Sequence, residues 1–336
     1  MKGSEQNNMS KLNISIVGCG GIAHSTHLPC ILKYGRVNVI SCADINAQNA
    51  ESLHEKFNIP LYFTDYNEML EKTNPDAVVC LVSPEAVSEV ASDILRRYHV
   101  MLEKPPGKTI EETERIFDAA KKSGKINMVA FNRRFAPVYT RLKEMIADND
   151  NNEIKYINYK FNRIRRHDDN FEDTAIHAVD TVKFLGGCDF KRVEIKYQEM
   201  PYLGENVANY YIYFEFANGI IATAEILVST GELSEGCEIH AGNGIYRASL
   251  PMGTGERDKK SGGIEYANNA GIYRNIDKAE ICPYSEPHLS QGFYNEHEHF
   301  YDCLINGTNP GNGVNTAIQS VAICNALKNR ETILIF

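Results

Sequence analysis

Apolar positions along this chain keep two different rhythms. Up to residue 131, short apolar runs at 12–17, 37–43, 61–63, 77–82, 99–102 and 127–131 read as strands, and segments of helical spacing lie between them. The clearest of these covers 109–122, where Ile110, Thr113, Ile116, Phe117 and Ala120 share a face and Gly124 supplies the stop. Further helical segments are predicted at 46–57, near 66–70 and at 84–98. Strands alternating with helices predict a parallel, doubly wound sheet.

Beyond residue 132 the rhythm changes. Strand-like runs at 154–166, 192–198, 208–216, 219–227 and 236–241 follow one another with turn formers such as Ala217-Asn218-Gly219 between them. One helix is predicted at 174–185, ended by Gly186-Gly187, and two more at 293–305 and 314–329 before a short apolar tail. Residues 257–275, rich in Gly, Asn and charge, read as a mobile loop or hairpin. The expected fold class is α/β plus α+β: a flexible lead over 1–11, a dinucleotide-binding domain over 12–131, and a substrate-binding and oligomerisation domain over 132–336 built on an open, mostly antiparallel sheet.

Composition narrows the function. At 336 residues, 43% hydrophobic and 24% charged, the chain reads as an ordinary soluble protein. A net charge of −9 argues against a nucleic-acid partner. Nine cysteines without a regular framework fit reduced thiols in the cytoplasm. The polar start has no signal-peptide pattern, and no run approaches the roughly 18 apolar residues that a membrane span needs.

The first strand runs straight into Gly18-Cys19-Gly20-Gly21-Ile22-Ala23, the G-x-G-x-x-A form of the dinucleotide fingerprint. Gly18 serves the tight turn, Gly20 the close approach of backbone to pyrophosphate, and Ala23 the packing of helix on strand, with Gly21 and Ile22 also expected to line the cofactor. The second strand ends at Asp44, where a carboxylate accepts hydrogen bonds from the adenosine ribose hydroxyls and repels a 2′-phosphate. NAD is therefore expected over NADP. Ser83 closes the fourth strand where the nicotinamide half would lie, and the fifth stops at Glu103-Lys104-Pro105-Pro106. The prolines forbid its continuation and hold Lys104 at a strand end, the usual place for ligands in such sheets.

In the second half, Asp173 and His177 are four apart on one helix face, and Asp180 lies one turn further. A carboxylate beside an imidazole can orient it for taking a proton from an alcohol. Lys104 as hydrogen-bond donor, His177 as base and Asp173 as support supply the parts of an alcohol dehydrogenation. Arg163, Arg165 and Arg166 precede this helix and could bind an acidic substituent, with a solvated strand edge as the alternative. Glu296-His297-Glu298-His299 has its histidines two apart, poor spacing for one helical face, so no metal site is expected. His24 and His27, just past the glycine turn, are either packing residues or ligand contacts.

The fingerprint, Glu103-Lys104-Pro105, the exit Asn132-Arg133-Arg134-Phe135 and the helix from Asp173 to Asp180, in this order, resemble the Gfo/Idh/MocA oxidoreductase family over essentially the whole chain. The resemblance implies hydride transfer between nicotinamide and a secondary alcohol of a sugar, inositol or related polyol, with Lys104, Asp173 and His177 catalytic. It also implies a cis Lys104–Pro105 bond and a homo-oligomer. Two other readings stay open among relatives: an NAD-dependent glycosidase using transient oxidation, and a non-catalytic dinucleotide-binding regulator. Ser88 stands where many members carry a histidine, and 166–172 is not the glycine-rich approach common in the family.

Overall fold

The computed structural model describes residues 11–148, 152–167, 171–252, 262–284 and 286–336. Strands β1 (Leu12–Val17), β2 (Val37–Ala43), β3 (Leu61–Phe63), β4 (Ala77–Cys80), β5 (His99–Leu102) and β6 (Asn127–Val129) form one parallel sheet in the order β3-β2-β1-β4-β5-β6. Every residue of β4 is buried, as expected of a strand covered on both faces. Strand order reverses between β1 and β4, which opens a crevice at their carboxyl ends.

The helices of this half are α1 (Leu28–Tyr34), α2 (Ala47–Phe57), α3 (Tyr66–Thr73), α4 (Val87–Ile94) and α5 (Ile110–Ser123). A π-helical turn, Ala23–His27, leads into α1. Side chains cap α2, α3 and α5: Asn46, Asp65 and Thr109 accept from the Gln48, Asn67 and Glu112 backbone N–H groups. Helix α4 is shorter than the predicted 84–98 because both of its ends are turns.

A 3₁₀ turn, Asn132–Phe135, and α6 (Pro137–Ala147), not anticipated from the pattern, lead into the second sheet. Its strands are β7 (Ile154–Asn162), β8 (Phe190–Glu199), β9 (Ala208–Phe216), β10 (Ile221–Leu227), β11 (Ser234–Ala241), β12 (Gly244–Ser249), β13 (Gly263–Asn268), β14 (Tyr273–Asp277) and β15 (Ile333–Ile335). Their order is β14-β13-β12-β11-β7-β10-β9-β8-β15, antiparallel except for the β7–β10 pair. The apolar tail is thus an edge strand, and the described part of 257–275 contributes a hairpin; 253–261 lie outside the described residues.

Helix α7 (Glu172–Gly186) packs on this sheet so closely that a Cβ at Gly186 would collide with the Phe216 ring. After the short α8 (Lys278–Ile281) and α9 (Pro287–Ser290), the chain returns to the first domain in α10 (Phe293–Asn306) and α11 (Val314–Asn329). Phe300 and Tyr301 of α10 join the core of Ile14, Ile16, Met101 and Met128. On α11, Val314, Ala317 and Val321 pack with Leu102 and Val129, while Ile323, Ala326 and Leu327 belong to the core of the other sheet. Apolar on most sides, α11 is a helix buried between two layers. Among the described residues, no helix is long and apolar enough to cross a membrane.

Candidate active site

At the carboxyl ends of β1, β2 and β4, a cleft of about 310 Å³ is lined by Gly18, Gly20, Asp44, Leu81, Val82 and Ser83, among others. Gly18 has φ +95°, and a Cβ there would stand 2.5 Å from the Leu81 carbonyl, so the turn admits no other residue. At Gly20 and Gly21 a Cβ would meet nothing within 4 Å: the space beside them is free for a ligand. Ala23 is fully buried against the sheet, while Ile22 is 40% exposed beside the turn. The Asp44 carboxylate accepts from the Cys19 and Asn46 N–H groups, each at 2.8 Å, and Asn46 rather than Asp44 caps α2. Open glycines and a fixed carboxylate in one cleft fit the pyrophosphate and ribose of a dinucleotide. Gly20→Ala is expected to leave the melting temperature unchanged and weaken NAD binding about tenfold or more, measured by titration. Gly18→Ala should instead cost about 2–5 kcal/mol of stability.

Beyond β5 the chain turns at a cis Lys104–Pro105 bond. The Glu103 carboxylate accepts from His27 Nε2 through one oxygen and from the Lys104 backbone N–H through the other, both at 2.8 Å. Burial alone would raise the Glu103 pKa, but the His27 hydrogen bond and the nearby Lys104 charge hold it below the usual carboxylate range. Lys104 Nζ donates to the Asp173 backbone carbonyl at 2.8 Å, crossing from the first sheet to the first turn of α7. Burial lowers the lysine pKa, and the charges of Glu103 and Asp173 oppose that fall.

Asp173 and His177 occupy successive turns of α7, as their spacing predicts. The Asp173 carboxyl is raised by burial despite Lys104 and Lys108. His177 is pushed well below the usual imidazole range, first by burial and then by the charges of Arg133, Lys104, Arg163 and Arg166. Its Nδ1 is buried and has no hydrogen-bond partner among the described residues. A neutral imidazole with an unpaired nitrogen, beside a lysine that donates across the cleft, can accept a proton while the lysine holds the oxygen that loses it.

Other expected site residues lie elsewhere. Asp180 is 1% exposed with both oxygens engaged by Arg134, at 2.6 and 2.8 Å, so it is closed to substrate and to the imidazole. Arg163 is also enclosed: it donates to Glu235 at 2.6 Å and stacks on Phe161. Arg165 is exposed with φ +51°. Among the described residues, Arg166 reaches α7, donating to Thr174 Oγ1 at 2.8 Å. Ser88 is buried and donates to the Glu112 carbonyl. The pattern reading missed Glu235, which binds both Arg133 and Arg163 from the inner face of β11. Its phase gave a signal, since Glu235 alternates in register with inward-facing Cys237, Ile239 and Ala241.

Residues 12–131 match the model of an oxidoreductase family with an NAD-binding Rossmann fold, GFO_IDH_MocA. YceM of Salmonella typhimurium (strain LT2) is 26% identical over 327 residues, covering 95% of this chain and 98% of the relative. Inositol 2-dehydrogenase of Paracoccus denitrificans is 26% identical over 257 residues, 72% of this chain and 75% of that enzyme. An oxidoreductase from Agrobacterium radiobacter, solved in complex with NAD+, L-tartaric acid and magnesium, shares the fold with a TM-score of 0.82 at 14% identity, covering 97% of this chain and 98% of the other.

Proposed function

We propose that this chain, whose residues 12–131 match the Gfo/Idh/MocA oxidoreductase model, is a member of that family and an NAD-dependent dehydrogenase of a secondary alcohol on a sugar, inositol or related polyol. The observation that carries the reading is the reach of Lys104 from the end of β5 to the Asp173 carbonyl, which sets an ammonium beside the helix that bears a neutral His177. When bound, the nicotinamide supplies the hydride acceptor or donor. Gly18, Gly20, Gly21, Asp44 and Ser83 are the residues that would hold the dinucleotide. Lys104 donates a hydrogen bond to the reacting oxygen, His177 takes its proton, and Asp173 supports both from the first turn of α7. Similarity to an inositol 2-dehydrogenase supports the polyol class.

The test is a panel of sugars, inositols and nucleotide sugars followed by nicotinamide absorbance with NAD and NADP in parallel. Turnover of at least one polyol is expected, and a chain that binds NAD yet turns over none of them would defeat the reading. The same assay checks Asp44. Two unit charges 4 Å apart repel by about 1 kcal/mol even in water and by about 4 kcal/mol at an effective dielectric of 20. Asp44→Asn keeps a side-chain acceptor for a backbone N–H and removes the charge. The ratio of kcat/KM with NADP to that with NAD should therefore rise about tenfold or more.

A further inference from the structure

Behind Glu103 lies a line of buried polar groups that none of the steps above uses. His27 Nε2 is 2.8 Å from Glu103, His27 Nδ1 is 2.8 Å from His297 Nε2, and His297 Nδ1 is 3.2 Å from the Tyr301 hydroxyl. His27, His297 and Tyr301 are each 0% exposed. An ionised carboxylate only accepts, so His27 carries its proton on Nε2. When His27 carries no second proton, its Nδ1 accepts from His297 Nε2–H and His297 Nδ1 from the Tyr301 hydroxyl; when it carries one, both bonds run the other way. In either form every donor has one acceptor.

Its parts come from three elements: the π-helical turn ahead of α1, α10, and the end of β5. Phe293 packs edge-on against His27, with ring centroids 6.1 Å apart. The neighbouring Glu296 is also 0% exposed, and neither of its oxygens has a partner among the described residues. Burial and the charge of Glu103 push Glu296 well above the carboxylate range, against the opposing charge of Arg133. Glu296 is therefore the neutral carboxyl of the two and Glu103 the charged one.

We propose that Tyr301, His297 and His27 are positioning residues whose hydrogen-bonded line fixes the Glu103 carboxylate against the Lys104 backbone, and so fixes Lys104 in the cleft. The proposal rests on the dehydrogenase reading of that cleft and adds three residues to it, two of them on the far helix α10. Fixing a catalytic group matters because a misplacement of about 1 Å can cost on the order of a hundredfold in rate.

Imidazole ¹⁵N spectra of the histidine-labelled protein test the line without any substrate. The Nε2 of His27 should carry a proton bonded to Glu103 and the His297 ring should be bonded at both nitrogens, and an Nδ1–H-only tautomer at His27 or a His297 nitrogen free of a hydrogen bond overturns the proposal. Kinetics test the consequence. His297→Leu should lower kcat about tenfold or more with NAD affinity near wild type, and should lower the melting temperature because it strands His27 Nδ1 and the Tyr301 hydroxyl. His297→Gln, whose amide can donate to His27 and accept from Tyr301, should restore most of the loss. Equal loss in the two variants, or none in His297→Leu, overturns the proposal. If His297→Leu does not fold, Tyr301→Phe replaces it: a shifted His297 ¹⁵N signal with reduced kcat supports the line, and no change in either sinks it. If the wild-type protein oxidises no polyol, the dehydrogenase reading falls, while the tautomers still decide whether the line exists.

Discussion

Lys104→Ala is expected to lower kcat/KM by about 10²–10⁴-fold while NAD affinity and the melting temperature stay near wild type. The Asp173 carbonyl that Lys104 touches lies in the first turn of α7, where it also faces the helical N–H of His177, so removing the ammonium leaves no orphaned acceptor. The variant should also move the pH profile. Burial is the first cause of the depressed His177 pKa, and Lys104 is one of four cations that add to it, with Arg133, Arg163 and Arg166. Taking away one cation raises the folded-state pKa of His177. A base that must be neutral then becomes protonated at higher pH, so the acid limb of residual alcohol oxidation should shift upward. Steady-state kinetics across pH together with NAD titration decide the matter, and wild-type turnover in Lys104→Ala would refute the assignment.

The largest loss of stability is expected from Glu235→Leu. Glu235 is fully buried and binds two arginines: Arg133 at 3.2 Å through Nε and Nη2, and Arg163 at 2.6 Å through Nη2. Tyr159 donates to the same carboxylate at 2.7 Å. Deleting the carboxylate strands buried cations, a change that typically costs about 3–5 kcal/mol, measurable by denaturant unfolding. Acid should act in the same direction. Burial alone would raise the Glu235 pKa, but Arg133 and Arg163 bring it from 4.5 down to about 2. A depressed carboxylate stabilises the fold above its unfolded pKa, and that contribution is lost as pH falls from about 4.5 to 2. The shift corresponds to about 3 kcal/mol at most. The loss on acidification should be absent from Glu235→Leu, and a variant as stable as wild type at neutral pH would show that the arginines find other partners.

The parallel sheet was legible because its central strands are marked by buried, continuous apolar runs, as at β4. Asp44 and Lys104 were legible for a related reason: each is a charge that ends such a run. Asp173 and His177 needed only the helical repeat. What stayed hidden joins residues far apart in the chain. Nothing near His27 announces His297, 270 residues away, and nothing near Glu235 announces Arg133, 102 residues away. Asp180 shows the opposite failure, for helical spacing placed it near His177 but could not show that Arg134 would claim both oxygens. The histidines of Glu296-His297-Glu298-His299 part company as their spacing implies. His297 turns inward to His27, while His299 lies tilted against Phe135, ring centroids 5.1 Å apart.

The return of α10 and α11 to the first sheet also bears on the order of events during synthesis. Phe300, Tyr301, Val314 and Val321 complete cores that otherwise draw mainly on residues 12–131. A ribosome releases those core residues long before it reaches position 300. The nascent nucleotide-binding half therefore waits, with apolar surface uncovered, until the last part of the chain emerges. A message truncated before α10 would yield a domain with its fingerprint intact and its flank bare, a form prone to self-association rather than a smaller working protein.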